Sequence, residues 1–576
     1  MFAYLKKKQY LCSRVRQQLN NKIMRKGIVI GCICALVAHS VVCFSEQAVY
    51  NEISYTIDRI SGTAEVGDNT KSPAIKSADG QLVIPAEIQV GQIVYRVTGI
   101  AENAFKGCKN LTGIALPNTL EYMSRNAFEG TGIWLKRKNW KDGVLIVDSC
   151  LIAADKNVKS KYVVPEHVRL IAAGAFQGNK SLSRIELPPS LKRIDNDLFR
   201  DCKNLTKVVI PASVKWIGQD VFVGTDIWLN EKKWKKGALY IDGCLIAVNS
   251  EAPAKFVFKD KVPTRVIAAG AFSNAKQIRS LSIPDGIETI PVACFYKCTG
   301  LAEVVIPKSV KHVERLAFAE CESLKNAMLP SDLESLGAAA FMQCRLMKKQ
   351  VISDRLKGLP TACFYLCSEL RDLSLPQSIE VLGDGVFAGC INIDSPVLPE
   401  RLQVIGEKAF AGCTKLRKIV VPESVAKIGK GAFSECTHLT EIILPDRLYA
   451  IDAETFMSCI SLEKMRMPES LYRIGSGAFA GCINLQEVAF NLPLKSIEDG
   501  AFYQCRQLRE VVLLDSLSEI GADAFMECKN LQKLVLPDGI QKMGEQAFRD
   551  CHKLIVPALP REAEVGKNAF KGCKQR

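Results

Sequence analysis

The chain has 576 residues, more than one ordinary domain holds. Apolar residues make up 48% and charged residues 24%, and there are no G-X-Y triplets or sustained heptads, so disordered, collagen and coiled-coil classes are excluded. The net charge of +15 points at first to an acidic partner, but residues 1–26 hold eight basic and no acidic side chains; from Glu46 onward the balance is 68 basic to 61 acidic, or +7.

Residues 1–45 read as a leader. Arg25-Lys26 followed by apolar Gly27 to Ala38 is a basic region and a short hydrophobic core, as in a secretory signal peptide with Met24 as its natural start. The apolar run is short for a transmembrane helix. Cleavage near Ser45 is expected, which predicts a secreted or cell-surface protein. Cys43 is an alternative lipid-attachment residue, although Ser40-Val41-Val42 lacks the small residue wanted just before it.

Residues 46–98 contain ISYTI, LVIPAEI and IVYRVTGI, separated by Gly, Asn and Asp. These predict short strands and a β-rich N-terminal cap that covers the first coil of a solenoid.

Residues 99–573 are repeats. A phenylalanine recurs nineteen times from Phe105 to Phe570, and fifteen of the eighteen intervals are 23 residues. Cysteine stands three residues later in 15 of 19 copies, and Ile, Leu, Val or Met stands five residues before in all of them. Ile405 to Pro422 shows the pattern, IGEKAFAGCTKLRKIVVP. Its L-x-x-I-x-V tail alternates at period two and predicts one strand per coil, stopped by proline. The A-F-x-x-C segment predicts a short 3₁₀ or α turn on the outside. A 23-residue unit cannot bury its apolar side alone, so stacked coils share a core.

This motif and period resemble the BspA-like, or treponemal-type, leucine-rich repeats of bacterial surface proteins. The resemblance implies an α/β solenoid: a right-handed leucine-rich-repeat superhelix with a parallel sheet on its concave face. It also implies adhesion or binding to a host or matrix protein, and no catalysis.

Two intervals are long. Residues 131–155 and 225–249 are copies of one insertion and carry Trp134, Trp140, Trp228 and Trp234. VLIVDSCLIA and LYIDGCLIA read as hairpins. The tryptophans either fill a widened coil or form a secondary binding site; a carbohydrate-binding or envelope-structural role using them is the alternative function.

Nineteen cysteines lie beyond Ser45, all at repeat-related positions, which predicts buried free thiols used as filler rather than a disulfide framework. No C-x-x-C pair occurs, and His167, His312, His438 and His552 are scattered, so no metal site or cofactor is expected. Catalytic motifs such as H-E-x-x-H, G-x-S-x-G and Walker A are absent.

The outward strand positions supply the main candidate site. Lys418, Glu441, Lys464, Glu487, Glu510 and Lys533 form a charge column that largely alternates in sign. Beside it run Val420, Ile443, Arg466, Ala489, Val512 and Val535, mostly apolar. An exposed apolar strip marks a protein interface, so a protein ligand is expected there. Nucleic acid is not, since this column forms no basic stripe.

Overall fold

The computed structural model describes residues 45–575 apart from 59–61, 68–72, 76–79, 125, 259–262, 491–492 and 560–561. The signal-peptide reading, the start at Met24 and the lipid-anchor reading of Cys43 lie outside the described residues. Among the described residues no helix is long and apolar enough to cross a membrane.

The repeats fold as a β-solenoid in which most coils supply two strands, not the one expected. The first is the anticipated three-residue strand. Lys418–Val420 pairs in parallel with Glu441–Ile443, placing Ile419 opposite Ile442. The second lies just before the glycine of the motif. Val404–Ile405 pairs in parallel with Lys427–Ile428. It stops there because the glycine sits against the preceding coil's backbone: a Cβ on Gly429 would lie 2.6 Å from the Glu407 nitrogen.

The A-F-x-x-C segment forms an arch with a ladder of its own. In the coil of Phe410, the N–H groups of Ala411 and Cys413 donate to carbonyls three residues back, at 3.1 Å each. Those of Lys408, Phe410 and Gly412 donate instead to Lys430, Ala432 and Ser434 of the next coil at 2.8–2.9 Å. This alternation is set by two left-handed residues, Lys408 (φ +54°) and Gly412 (φ +69°). Buried backbone groups need such partners, and here neighbouring coils provide them.

Inside, each residue type stacks on its own copy. From Phe272 to Phe570 every phenylalanine ring packs on the next, with centroids 5.0 Å apart for Phe295–Phe318 and 5.8 Å for Phe433–Phe456. Full burial of each such ring stabilises the coil by roughly 1.5–3 kcal/mol. The buried core falls into three clusters that meet around the two insertions.

Residues 46–98 start both strand rows. Ser45–Tyr50, Ile53–Asp58 and Thr63–Val66 form a meander that joins Ile93–Ile100. Ile93–Ile100 then pairs with Tyr122–Met123, and Gly80–Val83 pairs with Leu111–Ala115.

The only α-helical turns among the described residues open the insertions, at Gly132–Leu135 and Asp226–Leu229. Both start where the repeat's cysteine is replaced by threonine. Thr131 and Thr225 each cap the helix by accepting from the N–H of Trp134 or Trp228 at 3.2 Å. A thiol is a poor acceptor for this task, so threonine replaces it where the chain leaves the solenoid.

Candidate interaction face

The three-residue strands expose their first and third side chains and bury the second. Lys418, Glu441, Lys464, Glu487, Glu510 and Lys533 are all exposed. The structure brings all six together in three pairs. Lys418 meets Glu441 at 2.8 Å and Lys464 meets Glu487 at 3.1 Å, while Lys533 bonds Glu510. Such exposed pairs contribute roughly 0–1 kcal/mol each, and they neutralise the column within the sheet itself. Arg466 turns aside to Asp446 at 3.1 Å and Glu469 at 3.3 Å.

The neighbouring apolar positions have no such partners. Val420 is 47% exposed, Ile443 44%, Val512 37% and Val535 40%. The row extends beyond the coils expected to carry it. Val305 (61%), Met328 (83%), Val351 (57%) and Val397 (78%) stand at the same position of earlier coils. This extension was visible in the repeat register, ten residues after each phenylalanine.

The tryptophans lie elsewhere. Trp134 and Trp140 meet edge to face at 5.2 Å, and Trp228 and Trp234 at 5.3 Å. Each pair is half-buried and packs against the core. The indole N–H of Trp140 donates to the Trp134 carbonyl at 2.8 Å, and that of Trp234 to Trp228 at 2.9 Å. The polar atom a ligand would use is therefore already bonded. Arg169 and Arg265 clamp the insertions, donating to the carbonyls of Leu120 and Val214 at 2.8 and 2.9 Å.

A polar cluster on the second strand row was not anticipated. The Arg193 guanidinium lies over the Trp216 ring at 3.6 Å, and the Trp216 indole donates to the Glu314 carboxylate at 3.1 Å. Asp195 accepts from Arg193 at 3.1 Å. Burial pushes its carboxyl up to about 6, against the lowering pull of Arg193. Four coils separate these residues in places, so no sequence motif announces them.

All nineteen cysteines of the described residues are free thiols; seventeen are buried, and Cys108 and Cys573 are partly exposed. Burial pushes most of these thiols up, Cys482 to about 12, while a hydrogen bond from the neighbouring cysteine does most to raise Cys551 and Cys573. That removes thiolate nucleophile at neutral pH. No group of three His, Cys, Asp or Glu side chains able to hold a metal occurs among the described residues.

Parallel coils, stacked phenylalanines and an outward strand face define a leucine-rich-repeat solenoid. The chain belongs to the BspA type leucine rich repeat region family, which matches residues 87–151, 153–232, 265–393, 381–506 and 450–576 in six copies. Among solved structures it is similar to a leucine-rich repeat protein from Bacteroides ovatus, at 20% identity over 92% of this chain and 99% of that one, TM-score 0.33. A leucine rich cell surface protein from Faecalibacterium prausnitzii is 18% identical over 85% of this chain and 94% of its own, TM-score 0.30. The Treponema pallidum leucine rich repeat protein is 34% identical over 29% of this chain and 79% of its own, TM-score 0.27. No curated protein matches the chain.

Proposed function

We propose that this chain is a non-catalytic, secreted or cell-surface module that binds a protein partner, such as a host or matrix protein, through its three-residue-strand face. The observation behind this reading is the apolar row. Cross-strand ion pairing accounts for the charged column as sheet chemistry. It does not account for a row that is mostly Val, Ile and Met from Val305 to Val535, broken by Ser374, Arg466 and Ala489, with its large apolar members left in water. Rows of this kind serve as the dry centre of an interface, with polar side chains as its rim. The charged column beside it supplies that rim.

The test replaces Val420, Ile443, Val512 and Val535 together by serine. Binding of the wild type and the variant to a panel of purified extracellular-matrix proteins is then compared. Loss of binding with an unchanged melting curve supports the reading. A folded variant that binds its partner as the wild type does overturns it.

A further inference from the structure

The strands Lys161–Val163, Arg184–Glu186 and Lys207–Val209 lie side by side in parallel. Their register sets Lys161 opposite Arg184, and Arg184 opposite Lys207. Three cations thus occupy successive rungs of one column. Like charges directly opposite on neighbouring strands destabilise a sheet. The same column further along avoids this by pairing Lys418 with Glu441 and Lys464 with Glu487.

Local compensation is partial. Arg184 pairs with Glu186 at 2.6 Å. Lys161 and Lys207 enter no ion pair among the described residues. A fourth cation comes from the second insertion, where the Lys233 ammonium approaches the carbonyl of Thr206, next to Lys207, at 3.5 Å. The wider region follows suit. Residues 101–250 hold 23 basic and 15 acidic side chains, an excess of eight, which exceeds the +7 of the whole chain from Glu46 onward.

We propose that this basic column binds a linear polysaccharide bearing carboxylate or sulfate groups. Cations on successive rungs stand about 4.7–4.9 Å apart in the pairing direction, a repeat that suits a polymer with charges along its length. A hydroxyl column runs beside them. Ser160 and Ser183 meet at 2.7 Å, and Thr206 donates to the Ser183 carbonyl at 3.1 Å. These hydroxyls keep acceptor capacity for sugar hydroxyl groups. Single-stranded nucleic acid fits less well, because it is held by aromatic side chains that stack on bases. The third position of these strands holds Val163, Glu186 and Val209 instead. The column lies on other coils than the valine row from Val305 onward, so the two surfaces stand or fall separately.

The experiment measures binding of the full chain to heparin, polygalacturonate, poly(dT) and neutral dextran over a range of salt. Heparin or polygalacturonate should bind, with affinity falling as salt rises, and dextran should not. The variant Lys161→Gln/Lys207→Gln/Lys233→Gln should bind roughly tenfold or more weakly. The variant Lys418→Gln/Lys464→Gln/Lys533→Gln, which removes the same charge from the paired column, should bind as the wild type does. Equal losses in the two variants, or no binding to either acidic polysaccharide, overturn the proposal. Tighter binding to poly(dT) than to the polysaccharides also overturns it.

Discussion

The thiol of Cys436 donates to the carbonyl oxygen of Phe410, 26 residues earlier and one coil back, at 3.2 Å. The same carbonyl accepts the N–H of Cys413 at 3.1 Å. The arrangement repeats at Cys413–Phe387, Cys459–Phe433 and Cys482–Phe456. Cysteine therefore fills the arch and also bonds it to the coil behind. Cys436→Ala should cost about 1–2 kcal/mol, from a small void and a lost weak bond. Chemical denaturation of the variant measures this. A cost near zero would show that the thiol bond contributes nothing.

Thiol burial should make the solenoid sensitive to alkali. The ordinary thiol value is 9.0, and burial pushes Cys298, Cys367 and Cys482 up to about 12. Between those two values the unfolded chain releases a proton that the folded chain keeps. Stability is thus full below pH 9 and falls above it, by about 1.4 kcal/mol per pH unit for each thiol. Denaturation midpoints measured from pH 7 to 11 should be flat at first and then drop steeply. Titration with a thiol reagent should find the buried cysteines silent in the native protein and reactive after unfolding without reductant.

Backbone strain in the arches should be relievable. Lys408 is exposed and holds φ at +54°. A left-handed conformation costs a non-glycine residue about 1–2 kcal/mol, which glycine avoids while losing some chain entropy. Lys408→Gly should stabilise the protein by up to about 1 kcal/mol. A thermal scan that shows a lower melting temperature would contradict this.

The insertion tryptophans should act as core. Trp140→Ala removes a half-buried indole and the bond to the Trp134 carbonyl, and should cost about 2–3 kcal/mol. The double variant Trp134→Ala/Trp228→Ala should melt earlier. Unchanged melting together with lost ligand binding would assign these residues to a site instead.

The repeat made much of this architecture legible in the sequence. Phe, Leu and Cys recur at one interval, so their ladders could be read directly. The second strand row could not, because Lys427–Ile428 is two residues long and shows no alternation. The left-handed arch positions were hidden too, since Leu316, Ala339 and Lys408 adopt them without being glycine or asparagine. The charge column is legible from Lys418 to Lys533, where the signs largely alternate. Its run of cations at Lys161, Arg184 and Lys207 emerges once the strand after the first insertion is placed in register with its neighbours.

Residue-level footprinting of the complex with a bound matrix protein tests the central claim most directly. Side-chain labelling with a carbene or hydroxyl radical would be compared between free and bound states. Val305, Val351, Val420 and Val512 should lose labelling on binding, while exposed arch residues such as Lys408 keep it. Protection of the arches with the valine row still labelled would contradict the account.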